Sequence, residues 1–411
     1  MELKPGYKQT EVGVIPEEWE VKAIAEFAEV KGGKRLPLGK SLTDKPTPHP
    51  YLRVTDMRFG GVALDDIKYV PEDVFPAIKN YRISSADIFI SVAGTLGIVG
   101  KVPPELDGAN LTENADKIAN ISCDRDFLLY DLMSHRIQRI IEAEKTVGAQ
   151  PKLALARIGA FRIGLPKDLP EQRAIAGVLS DVDALIGALD QLIARKRDLK
   201  QAAMQQLLTG QSRLPGFSGE WEVKRFGDAA TPRKDRVDPR RAGGQEFCVE
   251  LEHIEPATGQ LLGSTATGGE SSLKSVFREG DVLFGKLRAY LRKYWLADCS
   301  GVCSTEIWVF VPNKRRVTAA YLFQLIKMDQ FIEAASTAYG THMPRSDWTV
   351  VKNYELRLPP LPEQTAIATV LSDMDCEIAA LEQRRNKTRD LKQGMMQELL
   401  TGRTRLGVRS S

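Results

Sequence analysis

The chain has 411 residues, of which 43% are hydrophobic and 27% are charged, as in an ordinary globular protein with more than one domain. Its 57 Lys and Arg residues nearly balance its 54 Asp and Glu residues, so the net charge of +3 is not by itself a sign of nucleic-acid binding. No apolar run approaches the roughly 20 residues that a membrane helix needs, and no signal peptide is expected at the start.

The five cysteines are an odd number without the paired spacings of a disulfide framework or a zinc site. We therefore expect buried thiols in a protein of the reducing cytoplasm.

An internal repeat divides the chain. Residues 169–214 and 361–406 align without a gap at an offset of 192, and 29 of the 46 positions are identical. A shorter echo, Glu-Trp-Glu-Val-Lys, occurs at residues 18–22 and again at 220–224. The segments between the repeats differ in length and sequence. The domains predicted from this pattern are two variable domains and two repeated segments, at residues 1–168, 169–214, 215–360 and 361–411.

The first variable domain contains short β-type runs, such as residues 87–92, and a helix is predicted over residues 127–143. The pattern indicates a mixed α/β domain built mostly around antiparallel strands. Basic residues fall in its predicted loops, and such residues contact DNA phosphates or, for Arg, guanine edges. The candidate DNA-binding residues of this domain are Lys31, Lys34, Arg35, Arg53, Arg58, Lys101 and Lys152.

The first repeated segment predicts one long helix from Glu171 to Thr209. Pro170 suits the first turn, Glu171 complements the helix dipole, and Gly210 is placed to end the helix. Apolar residues three and four apart predict the packing seam of a coiled coil. The predicted seam consists of Ile175, Val178, Val182, Leu185, Leu189, Leu192 and Leu199.

The second variable domain has the same character, with strands predicted at residues 281–284 and 307–311 and a helix over residues 319–335. Its basic loops carry aromatic residues between the cations. The candidate DNA-binding residues of this domain are Arg233, Lys234, Arg236, Lys286, Arg288, Tyr290, Arg292, Lys293, His342 and Arg345.

The second repeated segment predicts a matching helix that Gly402 ends. Glu377 and Arg384 occupy the positions of Leu185 and Leu192, so its seam is partly rearranged. The predicted seam residues are Ile367, Val370, Met374, Ile378, Leu381 and Leu391. The expected fold is α+β: two mixed α/β domains, each followed by a long helix, with the helices packed as an antiparallel coiled coil of pseudo-twofold symmetry. Because polar positions such as 197–201 and 389–393 also repeat, two like surfaces suggest two like partners.

Enzymatic motifs fail on inspection. Residues 94–101 resemble a phosphate-binding loop, but Val102 stands where a Ser or Thr must hold magnesium. The two Glu-Val-Lys strings lack the upstream partner of a metal-dependent nuclease. The four histidines form no paired zinc motif, and the strings typical of amino-methyltransferases do not occur. We predict that the chain has no catalysis of its own, no cofactor and no metal.

The layout and several strings resemble the specificity subunits of type I restriction–modification systems. The strings are Gly-x-Ile-Pro-x-x-Trp at residues 13–19, Leu-Pro-x-Leu-Pro-Glu-Gln-x-Ala-Ile-Ala at 358–368, and Leu-Leu-Thr-Gly at 207–210 and 399–402. The first repeat departs slightly, with Lys167 and Asp168 before Leu169. The resemblance covers essentially the whole chain.

The resemblance implies that each variable domain is a target-recognition domain that reads one half of a split target in double-stranded DNA, while the helices fix the distance between the halves. It implies two methyltransferase (modification) subunits and, in the full complex, motor-nuclease (restriction) subunits as partners. S-adenosylmethionine, ATP and magnesium are then expected only in those partners. Because the two domains differ in sequence, the target should be asymmetric.

Two other functions are compatible with the same residues. One is a specificity subunit of another restriction class, serving a fused nuclease–methylase. The other is a coiled-coil scaffold with two adhesive domains that does not bind DNA, since apolar heptads alone specify only packing.

Overall fold

The computed structural model describes residues 5–144, 152–267, 272–337 and 344–406. The chain forms two compact units: unit 1 is Met1–Ala188 with Arg384–Ser411, and unit 2 is Leu189–Gln383. This division passes through the middle of both long helices, whereas the boundaries predicted from the sequence lie at the helix ends. Each unit therefore contains one variable domain together with part of each helix.

Unit 1 contains two four-stranded sheets and three small antiparallel pairs. The first sheet has the order β11 (Val99–Lys101), β10 (Ile88–Ser91), β13 (Ala115–Ala119) and β4 (Glu29–Gly32). The second has the order β8 (Lys68–Tyr69), β5 (Pro50–Leu52), β12 (Ala109–Leu111) and β9 (Arg82–Ile83). The pairs are β1 (Tyr7–Thr10) with β2 (Gly13–Pro16), β3 (Glu20–Ala23) with β14 (Arg162–Leu165), and β6 (Met57–Arg58) with β7 (Gly61–Val62).

The short helices of unit 1 are α1 (Phe75–Ile78), α2 (Arg125–Met133), α3 (His135–Glu144) and α4 (Leu155–Gly159). The single helix predicted over residues 127–143 is therefore two helices. Ser134 separates them, because its extended backbone (φ −62°, ψ 149°) cannot continue α2.

Unit 2 also contains two four-stranded sheets, together with one antiparallel pair. The first sheet has the order β16 (Ala230–Pro232), β23 (Ile307–Pro312), β20 (Val282–Gly285) and β21 (Tyr294–Leu296). The second has the order β17 (Arg236–Val237), β19 (Lys274–Phe277), β22 (Gly301–Ser304) and β18 (Cys248–Val249). The pair is β15 (Glu222–Arg225) with β24 (Glu355–Leu358).

The short helices of unit 2 are α6 (Phe226–Ala229), α7 (Pro239–Ala242), α8 (Ala319–Leu325), α9 (Asp329–Ser336) and α10 (Trp348–Val351). Again one predicted helix, over residues 319–335, is two, because Met328 takes an extended backbone (φ −64°, ψ 141°) between α8 and α9.

The two variable domains share one strand plan. In unit 1, β10 lies between β11 and β13, and in unit 2, β20 lies between β21 and β23, all antiparallel. Each second sheet contains one parallel contact, β5 with β12 and β18 with β22. The predicted fold, mixed domains built mostly on antiparallel strands, is confirmed.

Two long helices complete the chain: α5 (Leu169–Thr209) and α11 (Leu361–Leu399). Gly210 and Gly402 follow their ends with φ of 74° and 65°, a left-handed conformation that glycine adopts without steric cost. Both predicted helices and both predicted stops are thus confirmed.

The main core of each unit joins the variable domain to both helices. In unit 1, Trp19 and Phe127 share a buried cluster with Leu179 of α5 and with Leu399, the last residue of α11. In unit 2, Phe226 shares a cluster with Leu207, Leu208 and Leu371, among others. Burying the helix ends against a domain explains why helices of this length are stable, since most helical stability comes from tertiary packing.

Candidate DNA interface and helix pair

The candidate basic residues of unit 1 divide into paired and exposed side chains. Arg53 forms a bidentate ion pair with the buried carboxylate of Asp56, at 2.6 and 3.0 Å, and also contacts Asp66. Lys101 lies 3.0 Å from Asp126. The guanidinium of Arg53 therefore stabilises the turn before β6, and its contact with DNA stays a prediction.

The remaining candidates of unit 1 are exposed. Lys31 pairs with Glu29 on the same face of β4, and Arg35 is 78% exposed, 3.9 Å from Glu113. Lys34 lies 5.6 Å from the centre of the Tyr81 ring. Arg58 donates to the carbonyls of Thr55 and Met57, both at 2.8 Å, and Lys152 is exposed.

Unit 2 shows the same division. Arg233 is only 14% exposed and binds Asp281 through two hydrogen bonds of 2.9 Å. Arg292 pairs with Asp329, and Lys293 donates to the carbonyl of Leu251 at 2.6 Å. Arg345 contacts Glu306 at 2.9 Å. Arg233, Arg292 and Lys293 therefore stabilise the fold, and their role as DNA-contacting side chains stays a prediction.

Four exposed or half-exposed candidates of unit 2 have side chains without an ion pair to any residue that the structure describes. They are Lys234, Arg236, Lys286 and Arg288. Tyr290 is 55% exposed beside Arg288. The predicted residue His342 lies outside the described residues.

The two long helices pack antiparallel in each unit. In unit 1, Asp183 of α5 lies 2.7 Å from Lys392, and Glu171, closer to the start of α5, lies 2.6 Å from Arg405, beyond the end of α11. In unit 2, Asp375 of α11 pairs with Lys200 of α5. Glu363 likewise pairs with Arg213, whose Nε donates at 2.8 Å. The predicted antiparallel pairing is confirmed.

These ion pairs repeat with the sequence. Adding 192 to Asp183 and Glu171 gives Asp375 and Glu363, and subtracting 192 from Lys392 and Arg405 gives Lys200 and Arg213. Each carboxylate in one copy of the repeat therefore meets the equivalent cation of the other copy. The sequence analysis missed these pairs. Aligning one copy of the repeat with the other in reverse order, as in an antiparallel pair, would have placed the opposite charges beside each other.

Part of the predicted apolar seam is buried. Ile175, Leu189, Ile367 and Ile378 are 1%, 4%, 0% and 8% exposed. Val178, Val182, Val370, Met374 and Leu381 are half-buried.

Four predicted seam leucines are wrong. Leu185, Leu192, Leu199 and Leu391 are 41%, 40%, 58% and 60% exposed. Leu179, Ile193, Met204 and Leu371, which the predicted seam did not include, are buried as well. Leu179, Met204 and Leu371 lie in the cores where the helices pack on the variable domains. A strict heptad pattern describes a helix that packs on one other helix, whereas each of these helices packs on the other helix and on a variable domain.

One carboxylate in each helix pair also contacts its variable domain. In unit 1 the hydroxyl of Tyr130 donates to Asp183 at 2.9 Å. In unit 2 the ammonium of Lys327, 3% exposed, lies 3.1 Å from Asp375. Burial lowers the pKa of Lys327 to about 8, although Asp375 acts in the opposite direction.

A glutamine fixes the start of each long helix. Gln172 accepts a hydrogen bond from the amide of Asp124 at 2.7 Å and donates to the carbonyl of Pro166 at 2.7 Å. Gln364 accepts from the amide of Thr318 at 2.9 Å and donates to the carbonyl of Pro359 at 2.9 Å. Asp124 and Thr318 are themselves the caps of α2 and α8, so each glutamine ties a domain helix to a long helix.

Among the described residues, no group of three or more His, Cys, Asp or Glu side chains is arranged to hold a metal. Nor does any described helix combine the length and apolar composition of a membrane crossing. Of the five cysteines, Cys248 and Cys303 are buried, Cys123 and Cys299 are half-buried, and Cys376 is exposed.

Comparison with known proteins identifies the architecture. The profile of the family described as "Type I restriction modification DNA specificity domain" matches residues 16–195 and 258–388, more than half of the chain. The chain belongs to this family. It is a DNA-recognition subunit of a type I restriction–modification system and not one of the catalytic subunits.

Relatives extend over almost the whole chain. One, from Methanocaldococcus jannaschii and provisionally named the type I restriction enzyme MjaX specificity subunit, is 26% identical and covers 97% of both chains. The MjaVIII specificity subunit of the same organism is 24% identical over 95% of this chain and 94% of its own. The crystal structure of the type I S subunit from M. genitalium shares the fold, with a TM-score of 0.58, 14% identity and coverage of 97% and 98%.

Proposed function

We propose that the two variable domains of this specificity subunit read two unlike half-sites of a bipartite, asymmetric target in double-stranded DNA. The observation that carries the proposal is a shared strand plan with different loops. After β10, residues 92–97 read Val-Ala-Gly-Thr-Leu-Gly, whereas after the equivalent strand β20, residues 286–293 carry four Lys and Arg side chains. Loops that differ in charge and length on equivalent strands favour recognition of different bases.

Methylome sequencing of cells that express the chain with its modification subunit tests this proposal. The expected result is a methylated motif of two different half-sites separated by a gap of fixed length. A palindromic motif would contradict the asymmetry, and a continuous motif would contradict the bipartite target.

We assign the DNA contacts to the cations that the fold leaves exposed. In unit 1 these are Lys34, Arg35, Arg58 and Lys152, and in unit 2 they are Lys234, Arg236, Lys286 and Arg288. Cations held by acidic neighbours contribute less, because they would have to exchange one anionic partner for another. Each phosphate contact that is lost should lower the salt dependence of binding by about one unit of log–log slope.

Two methyltransferase subunits are the partners of the repeated surfaces on the helices. Leu199 and Leu391, related by the offset of 192, are both more than half exposed. The same residues flank them, Arg-Asp before and Lys-Gln after. The recurrence of the same exposed leucine between the same polar residues in both copies of the repeat favours two equivalent binding sites.

The substitutions Leu199→Glu and Leu391→Glu test these sites separately and together. Copurification should fall from two modification subunits to one with each single variant and fail with both. Leu262→Glu, at a leucine that is 66% exposed outside the helices, is the matched control and should copurify normally. Full assembly of the double variant would refute the assignment.

Motor-nuclease subunits complete the proposed restriction complex in the cytoplasm. S-adenosylmethionine, ATP and magnesium would be bound by the methyltransferase and motor-nuclease subunits, because those subunits carry out the chemistry. The purified chain alone is expected to show no methylation or cleavage.

The continuous helices α5 and α11 are proposed to set the gap between the half-sites. Four residues inserted after Asp190 and four after Glu382, its repeat equivalent, keep the ion pairs on both sides in register. Each helix then grows by about 6 Å. The gap in the methylated motif should lengthen by about two base pairs at about 3.4 Å per pair, with both half-sites unchanged. An unchanged gap would contradict this role.

A further inference from the structure

The loop after β20 contains two arginines in a left-handed backbone conformation. Arg288 has φ 54° and ψ 59°, and Arg292 has φ 53° and ψ 45°, on either side of a single 3-10 turn at Ala289–Leu291. For residues with a Cβ atom this conformation is sterically unfavourable. Strain of this kind persists only where surrounding contacts hold it, and it is concentrated at functional sites.

Backbone hydrogen bonds hold the loop in place. The amide of Arg288 donates to the carbonyl of Pro344 at 2.9 Å, and the carbonyl of Arg288 accepts from the amide of Leu291 at 2.8 Å. Lys286 is fixed in the same way by Glu306 and Ser346, at 3.0 and 2.8 Å. The direction of the Cα–Cβ bond of Arg288 is therefore set by the fold.

The side chains of the two arginines differ. The guanidinium of Arg292 pairs with Asp329 and donates to the carbonyl of Lys327 at 3.4 Å, while the backbone carbonyl of Arg292 accepts from the amide of Ala257 at 2.9 Å. The side chain of Arg288 is exposed and meets no hydrogen-bond partner or acid within the described part of the chain. The side-chain contacts of Arg292 thus account for its left-handed conformation, whereas the side chain of Arg288 offers no such account.

We propose that Arg288 contacts a base edge in the half-site read by unit 2, and that Arg292 is a positioning residue that holds the loop. A bidentate bond to guanine requires a guanidinium placed at one base edge, and a backbone of fixed conformation limits the positions that the guanidinium can reach. A phosphate contact has no such requirement, and the neighbouring Lys286 on ordinary backbone suits that role. This inference rests on the proposed function, in which unit 2 reads DNA.

Glycine substitutions in the assembled methyltransferase complex separate the two roles. Arg288→Gly fits the left-handed backbone without strain, so the melting temperature should not fall. Methylation should become tolerant of other bases at one position of one half-site, with cognate binding weakened about tenfold. Arg288→Lys keeps the charge but loses the planar fork, and it should behave as Arg288→Gly does.

Arg292→Gly is the matched control, because Arg292 has the same backbone conformation as Arg288 but its side chain holds the loop through Asp329. It should lower the melting temperature and leave every position of the motif equally selective. A phosphate contact would give a different pattern: Arg288→Lys would keep normal methylation, and Arg288→Gly would lose affinity equally for all sequences and show a smaller salt slope. That pattern would overturn base reading by Arg288. An unchanged motif and affinity for Arg288→Gly would overturn any DNA contact. A wild-type motif that is not split would instead refute the proposed function, whatever the variants do.

Discussion

Units 1 and 2 use the same carboxylate in different ways. Asp183 in unit 1 and Asp375 in unit 2 each pair with a lysine of the opposite helix, Lys392 and Lys200. The contact with the variable domain is not repeated: a tyrosine hydroxyl reaches Asp183, and a buried ammonium reaches Asp375. The connection between helices has been retained after duplication, whereas the connection between helix and domain has diverged.

This difference suits a protein whose domains recognise different targets. Contacts between the helices must match in both units, because each copy of the repeat pairs with the other copy. Contacts with the variable domain involve one copy only and can change with that domain.

The largest difference between the units is expected at the buried ends of the helix pair. Glu363 is fully buried and its partner Arg213 is 25% exposed, whereas Glu171 is 8% exposed and its partner Arg405 is 37% exposed and also reaches Glu18. Arg213→Met leaves a buried carboxylate without a partner and should lower the free energy of unfolding by more than Arg405→Met does. Arg405→Met should cost about 1 kcal/mol, since water can replace the guanidinium.

Denaturant unfolding of the two variants in the purified complex measures this contrast. Adding Glu363→Gln to Arg213→Met should recover part of the loss, because the buried charge is then removed. Equal losses for the two arginine variants would show that the two ends are equivalent.

A second contrast concerns the glycines that end the long helices. A Cβ atom at Gly402 would lie 2.5 Å from Cγ of Pro16 and 3.1 Å from Cζ2 of Trp19, whereas at Gly210 its nearest neighbours are ring atoms of Trp221 at 3.4 Å. Gly210→Ala should cost about 1 kcal/mol for the left-handed backbone alone. Gly402→Ala should cost about 2–4 kcal/mol, because the rigid proline ring must also move.

Thermal unfolding of the two alanine variants gives the measurement. Gly177→Ala, at a glycine within α5 with open space around it, is the control and should be neutral or stabilising. A melting temperature for Gly210→Ala as low as that of Gly402→Ala would contradict the role of Pro16.

The two long helices and the mostly antiparallel strands could be predicted from the sequence, because both depend on local patterns. Pro170, Gly210 and the repeated apolar positions define α5 without any tertiary information. Ser134 and Met328, which interrupt the short helices, are not strong breakers, so the two interruptions could not be predicted.

The candidate site was harder to predict because pairing depends on residues far apart in the chain. Arg233 and Arg288 are equivalent as sequence features, but Asp281, 48 residues away, binds the first and no described acid binds the second. Burial of the seam leucines likewise depended on where the domains pack. The repeated charges are the exception, since the antiparallel match of the two copies is written in the sequence itself.

The smallest expected effect is a dependence on pH that only unit 2 should show. The pKa of Lys327 is about 8 in the folded protein and should return to the ordinary lysine value near 10.5 on unfolding. Below pH 8, Lys327 is protonated in both the folded and the unfolded protein, so folding bears the full cost of burying its charge. Between pH 8 and pH 10.5, the unfolded protein binds a proton that the folded protein has released. The free energy of unfolding should therefore rise by about 1 kcal/mol from pH 7 to pH 9.

Lys327→Met removes this rise, and the difference between wild type and variant isolates it from all other groups that titrate. Hydrogen exchange of amides in α8 and the neighbouring part of α11 reports unit 2, and amides in α2 report unit 1. Burial and Asp183 raise the pKa of Tyr130, so its hydroxyl keeps its proton throughout this range and α2 should show no corresponding change. A rise of equal size in both units, or one that survives in Lys327→Met, would mean that the two carboxylates are held in the same way after all.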